Sequence, residues 1–153
     1  MNLTEHITYA EATKSYTANR LGIENIPNED QIFNMIVLGT EVFEPLRKWV
    51  KGPIMITSFF RSEELNKAIG GSSKSQHCHG QAMDIDDVYG KKTNADMFDF
   101  ITTHLDFDQL IWEFGNDENP DWLHVSYVNK EENRRNVLRA IRENGKTIYK
   151  PFA

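Results

Sequence analysis

The sequence predicts an α+β fold, with helices packed on a small, mainly antiparallel sheet. Two observations predict the class. Helical periodicity dominates the first third of the chain, and short strand-like runs dominate the rest. Those runs mostly follow one another in adjacent pairs, which favours antiparallel neighbours over a doubly wound α/β arrangement. A third observation supports the sheet. Val137–Ile141 and Thr147–Lys150 flank Asn144-Gly145, a dipeptide that suits the two positive-φ positions of a tight hairpin turn.

Residues 8–19 read as a short polar helix. The main helix starts at Asn28, a good N-cap, with Gln31 at the capping-box offset. Ile32, Met35, Ile36, Val42, Phe43, Leu46, Trp49 and Val50 follow the helical period and should face the core. Pro45 lies inside this pattern and should kink the helix or begin a second one. Lys51-Gly52-Pro53 ends it, and Ile54–Phe59 reads as a buried strand. Ser62 opens a short helix that stops at Gly70-Gly71, followed by a polar loop from Ser72 to Gly80. Gln81–Val88 is a strand. Thr93 caps a helix to about His104, with Asp96 at the capping-box offset. Gln109–Phe114 and Trp122–Val128 are further strands.

Composition narrows the function classes. The length of 153 residues suits one domain spanning 1–153 and a core that needs no staples. The 23 acids outnumber 17 Lys and Arg, for a net charge of −6, and no basic stripe is present, so nucleic acid is not an expected partner. One cysteine, Cys78, excludes an intramolecular disulfide. No run approaches the ~18 apolar residues of a membrane span, so no membrane partner is expected. The N-terminus lacks a basic segment followed by an apolar run. The expectation is synthesis in the cytoplasm without a signal peptide, with release needed for any action outside, and a monomer.

The histidines carry the chemistry. His6 and His104 have neighbours that suggest only solvent or helix-end roles. His77 and His79 lie in Ser75-Gln76-His77-Cys78-His79-Gly80-Gln81-Ala82-Met83-Asp84. In the strand, Asp84 shares a face with Ala82 and Asp86, while Met83 and Ile85 point the other way. Downstream, His124 shares a face with Ser126 and opposes Leu123 and Val125. His77, Asp84 and His124 can therefore meet as two nitrogens and one oxygen, the donor set of a catalytic zinc with one position open. The small Gly80 and Ala82 would let the backbone pass close to an ion. Asp84, Asp86 and Asp87 could instead form a solvated strand end or bind a hard cation such as calcium. Asp121, three residues before His124, could reach a water beside the metal.

The pattern Ser75-x-His77-x-x-Gly80-x-Ala82-x-Asp84, with Asp121-x-x-His124 downstream, resembles the M15 peptidases. Thr57-Ser58-Phe59-Phe60-Arg61-Ser62-x-Glu64-Leu65-Asn66, then Gly70-Gly71-Ser72, is similar to that family's arginine region. The resemblance runs from about Val42 to Tyr127. The family includes D-alanyl-D-alanine carboxypeptidases, D-Ala-D-Ala dipeptidases and phage L-alanyl-D-glutamate endolysins. It implies a Zn2+-dependent metallopeptidase cutting peptidoglycan stem peptides, as carboxypeptidase or endopeptidase, in a phage or prophage setting of cell wall degradation. It also implies that His77, Asp84 and His124 hold zinc, that Asp121 is the base, and that Arg61 contacts the substrate carbonyl or carboxylate. Ser75, His79 and Asp86 fall to supporting positions around the metal. Cys78 and His79 are rival ligands because both residue types bind zinc. The alternatives are a phage structural protein that binds cell wall with little hydrolysis, a closed structural zinc site filled by His79 or Cys78, and a non-peptidase zinc hydrolase. The loops Ser72–Gln76 and Asn116–Asp121 are where substrate preference would reside.

Overall fold

The computed structural model describes residues 1–152. Strands β1 (Asn2–Thr4) and β2 (Ile7–Thr8) form a small antiparallel hairpin that the sequence pattern did not suggest. The expected helix over residues 8–19 is two helices, α1 (Tyr9–Thr13) and α2 (Tyr16–Leu21). Lys14 is extended between them, and Ser15 caps the second by accepting from the Ala18 N–H. A polar segment with a good cap in its middle can restart as easily as continue.

Helix α3 (Glu29–Leu38) begins as the sequence predicts. The Asn28 side chain accepts from the Gln31 N–H, and the Gln31 side chain accepts from the Asn28 N–H. The Pro45 interruption takes a specific form. Residues Gly39–Phe43 widen into a π-helical turn, and α4 (Glu44–Val50) follows with Pro45 in its first turn. The backbone stays right-handed helical from α3 through the π-turn into α4, so the widened turn is where the helix absorbs a residue that has no N–H to bond back. Strand β3 (Met55–Ser58), α5 (Glu63–Ala68), a 3-10 turn (Gln76–His79), β4 (Ala82–Asp86), α6 (Asn94–His104), β5 (Gln109–Glu113), β6 (Trp122–Ser126), β7 (Asn136–Glu143) and β8 (Lys146–Pro151) complete the chain. Asn144 and Gly145 both have positive φ, 53° and 77°, as the β7–β8 turn requires.

The class is α+β, and the main sheet has six strands in the order β3-β4-β6-β5-β7-β8. It is mainly antiparallel, with one exception: β7 runs parallel to β5. Strand β6 already occupies one edge of β5, so the chain crosses over and adds β7 to the other edge. Asp108 pins this crossover. Its carboxylate accepts from Arg134 Nε and Nη2 at 2.9 and 2.7 Å, and from Gln76 at 2.9 Å.

The two faces of the sheet have different fates. Met83, Ile85, Leu110, Trp112, Leu123 and Val125 pack against Met35, Leu38, Val42, Phe43 and Leu46 of the helical layer, and against Met97, Phe98 and Ile101 of α6. Fully burying each such aliphatic side chain contributes about 1.5–3 kcal/mol. With that face committed to the core, the period of two sends Asp84, Ile111, Glu113, Trp122 and His124 to the opposite face, where they line a cavity.

Candidate metal centre

The cavity has a volume of about 750 Å³. Its floor is the polar face of the sheet, and Gly70 to His77 form one wall. On the floor, Asp84 lies directly opposite His124 across the β4–β6 pair. His124 Nδ1 is 3.0 Å from Asp84 Oδ1, and His77 Nε2 is 3.4 Å from the same oxygen. One donor atom from each of His77, Asp84 and His124 lies within 4.8 Å of the other two. The three residues that the sequence placed on a loop and two separate strands therefore meet.

His77 is held from behind. Ser75 caps the 3-10 turn by accepting from the His77 N–H, and His77 Nδ1 donates to the Phe59 carbonyl at 2.7 Å. That bond leaves Nε2 with its lone pair turned toward Asp84. The electrostatics favour a neutral imidazole beside an ionised carboxylate. Burial pushes the His77 pKa down, against the opposing pull of Asp84. Burial alone would raise the Asp84 pKa, but the neighbouring His77 and the hydrogen bond from His124 hold it well below the usual carboxylate range. Both groups thus favour the protonation states that metal binding requires.

Arg61 stands at the same carboxylate, with one terminal nitrogen 3.6 Å from Asp84 Oδ2. Glu63 and Glu64, the acids in the first turn of α5, form no ion pair with it among the described residues. Its Nε donates to Ser58 Oγ at 3.2 Å, and another nitrogen donates to Asn66 Oδ1 at 3.2 Å. Asn66 is buried and also donates to the Ser72 carbonyl at 2.8 Å, so it ties Arg61 to the wall loop. Sequence reasoning passed over Asn66 because it is a polar residue in a short helix; only its burial marks it.

Several expected supporting residues lie elsewhere. His79 is exposed and outside the donor cluster; its carbonyl accepts from Asn34 instead. Cys78 is buried and does not line the cavity, and burial pushes its thiol pKa up. Asp86 accepts from Asn94 Nδ2 at 2.7 Å at the start of α6, away from the cavity. Ser75 does line the cavity. Gly80 packs against α3. Its φ is +71°, and a Cβ there would lie 2.5 Å from the Gln31 carbonyl oxygen of α3. Of the two loops expected to read substrate, Ser72–Gln76 lines the cavity and Asn116–Asp121 does not. His6 has an unexpected neighbour: its Nδ1 is 2.6 Å from Glu44 Oε1, at the exposed end of the β1–β2 hairpin.

Asp121 lies apart from the donor cluster. It is exposed and lines a second cavity, beyond a wall made by Trp122 and Phe114, whose rings meet edge-on at 5.3 Å. Its position just before β6 is set by its N–H, which donates to the Glu113 carbonyl. Besides Asp84, the acid that lines the first cavity is Glu113, 7% exposed at the end of β5. Burial pushes its pKa up to about 7, partly offset by His124 and reinforced by Asp84. The apolar run Leu110-Ile111-Trp112 before it could have signalled a buried acid, but not which face it takes.

The family match accords with this geometry. A family model described as Peptidase M15 matches residues 5–126. The chain belongs to the peptidase M15 family. No curated protein matches it. The M15 segment carries Arg61, His77, Asp84, Glu113 and His124 and ends with the last residue of β6. The remaining cavity wall comes from beyond that segment, where β7, β8 and the crossover contribute Arg134, Leu138, Arg142, Thr147 and Tyr149. Among the described residues of this M15 peptidase, no helix is long and apolar enough to cross a membrane.

Glu113 makes a testable contribution to stability. Its folded pKa of about 7 is above its ordinary 4.5, so its favourable, protonated state is present below about pH 4.5 and is lost as pH rises through 7. The charged and titratable groups that share the cavity with it are Arg61, Lys74, His77, Asp84, His124, Arg134, Arg142 and Tyr149. In metal-free protein, Glu113→Gln is expected to raise the melting temperature at pH 8 but hardly at pH 5. Parallel melting curves across that range would contradict the assignment.

Proposed function

We propose that this M15 peptidase depends on zinc and hydrolyses a peptide bond in peptidoglycan stem peptides. The observation that carries the zinc reading is the donor cluster. Two imidazole nitrogens and one carboxylate oxygen form the usual catalytic zinc set with one position open. Their separations of 3.0 and 3.4 Å are short enough for one ion to be held by all three residues. His77, Asp84 and His124 would hold the ion. Neither His79 nor Cys78 stands ready to close the fourth position, which favours a catalytic over a structural site.

Zinc, when bound, supplies Lewis acidity that polarises a carbonyl and makes water acidic near neutrality. The chain supplies the rest. Arg61, fixed by Ser58 and Asn66, offers N–H groups to the carbonyl oxygen as negative charge develops on it. Phe59 orients His77, and His77 and His124 keep Asp84 ionised.

The peptidoglycan reading rests on the family and on the charge of the cavity. Lys74, Arg134 and Arg142 line it in a chain of net charge −6. Arg142 stacks over Phe114 at 4.8 Å and has no carboxylate partner among the described residues. Such a wall suits peptides that carry free carboxylates, as stem peptides do. The deciding experiment is mass spectrometry of products from purified muropeptides, with and without chelator. Cleavage that stops with chelator and returns with zinc is expected. Zinc at about 100 times its Kd should also stabilise the fold by about 2.7 kcal/mol. Cleavage indifferent to chelator would reject zinc dependence; a zinc-loaded protein that binds cell wall but cuts no muropeptide would favour a binding role.

A further inference from the structure

The cavity wall contributed by β7 and β8 lies outside the matched M15 segment, and it carries a spare cation. Of the arginines downstream of β6, Arg134 pairs with Asp108, Arg135 with Asp106 and Arg139 with Asp117. Arg142 pairs with no carboxylate among the described residues. Its guanidinium lies over the Phe114 ring, 4.8 Å from the centroid, and that ring meets Trp122 edge-on at 5.3 Å. All three side chains line the cavity. An aromatic face holds a guanidinium without using its N–H donors, which stay free for a planar anion.

Strand register gives the distance from the donor cluster. His124 lies opposite Ile111, and Ile111 lies beside Leu138. Leu138, Ala140 and Arg142 alternate along one face of β7, and the first and last line the cavity. With strands about 4.8 Å apart and a rise of about 3.3 Å per residue, the backbones of His124 and Arg142 are roughly 16 Å apart. The arginine side chain spans part of that distance. Extended peptide covers the rest at about 3.3–3.6 Å per residue, which is about two or three residues. A carboxylate adjoining the scissile bond would instead lie beside the donor cluster, where Arg61 is the neighbouring cation.

Resting on the peptidase reading above, we propose that Arg142, seated on Phe114, is a specificity-determining residue. It selects acidic peptides that carry a free carboxylate about two or three residues from the bond that is cut. The β7–β8 hairpin thus adds a remote anion subsite to the M15 site. The contact is the same before and during reaction at the distant carbonyl, so it acts on KM and leaves kcat largely alone.

The test uses synthetic stem peptides in which each free carboxylate is replaced, one at a time, by a carboxamide. Mass spectrometry identifies the bond cut, and kcat and KM are read for the zinc-loaded parent, Arg142→Gln and Arg142→Lys. In the parent, amidating one carboxylate remote from the cut should raise KM about tenfold with little change in kcat. Arg142→Gln should raise KM for the acid peptide to the same extent and no longer distinguish acid from amide. Arg142→Lys keeps the charge but not the planar fork, and should retain part of the preference. Zinc content and melting temperature should match the parent in both variants; the amide comparison in the parent needs no substitution and covers a variant that misfolds. Equal KM for acid and amide in the parent overturns the proposal. So does an acid preference that survives in Arg142→Gln, or one that depends only on the carboxylate adjoining the cut. If the parent cuts no peptide, the hydrolytic reading fails separately. Calorimetric affinities then decide the subsite: tighter binding of the acid peptide, lost in Arg142→Gln, supports it, and equal or absent binding overturns it.

Discussion

His77→Ala is expected to remove bound zinc and hydrolysis together. Zinc affinity in small protein sites amounts to about 10 kcal/mol or more, so three protein ligands average roughly 3 kcal/mol each. Losing one should weaken binding on the order of 10²-fold, since each 1.4 kcal/mol is a factor of ten. His77 has no substitute within reach: Cys78 does not line the cavity, and His79 is exposed. The loss also strips Asp84 of the contact at 3.4 Å and of the largest influence that keeps it ionised. Zinc titration of the variant, followed by turnover at fixed free zinc, checks this. Full zinc content with unchanged cleavage would remove His77 from the ligand set.

Gly80→Ala is expected to destabilise the fold strongly. Gly80 has φ +71°, a conformation that costs a residue with a side chain about 1–2 kcal/mol. The new Cβ would also lie 2.5 Å from the Gln31 carbonyl oxygen and 2.8 Å from Met35 Cγ. The first is helix backbone and cannot turn aside, and overpacking of this kind costs about 1–3 kcal/mol. The sum is roughly 2–5 kcal/mol. The damage should spread to the site, because two side chains of α3 tie this helix to the 3-10 turn. Gln31 Nε2 donates to the Cys78 carbonyl, and Asn34 Nδ2 donates to that of His79. Urea unfolding should show the loss, and zinc affinity should fall with it. A stability change under 1 kcal/mol would mean that the turn can move away from α3 without cost.

Much of the local structure was legible because local physics decides it. The Asn28 and Thr93 caps, the turn at Asn144-Gly145 and the strand parity of Met83-Asp84-Ile85 depend on residues within one helical turn or one strand. The β1–β2 hairpin was not legible: five strand residues cannot hold a hairpin alone, and it persists by packing Leu3 and Ile7 into the common core. The parallel β5–β7 pair was missed for a related reason. Strand patterns show which residues face a core, not which edge of a neighbour remains free.

The sequence by itself determined the M15 pattern, the identities of His77, Asp84, His124 and Arg61, and the strand face on which Asp84 and His124 lie. Those features follow from residue type and from periods of two and 3.6. Only the tertiary structure decided which other groups share their cavity. It set Asp121 behind an aromatic wall, buried Glu113 beside His124, and fixed Arg61 through Asn66. It also brought in a basic wall from β7 and β8, beyond the matched segment. The reason is geometric. A spacing of three residues at a strand's entry does not say whether a side chain follows the strand's face or turns away. A carboxylate becomes chemically unusual only once the sheet and helices have closed water out around it.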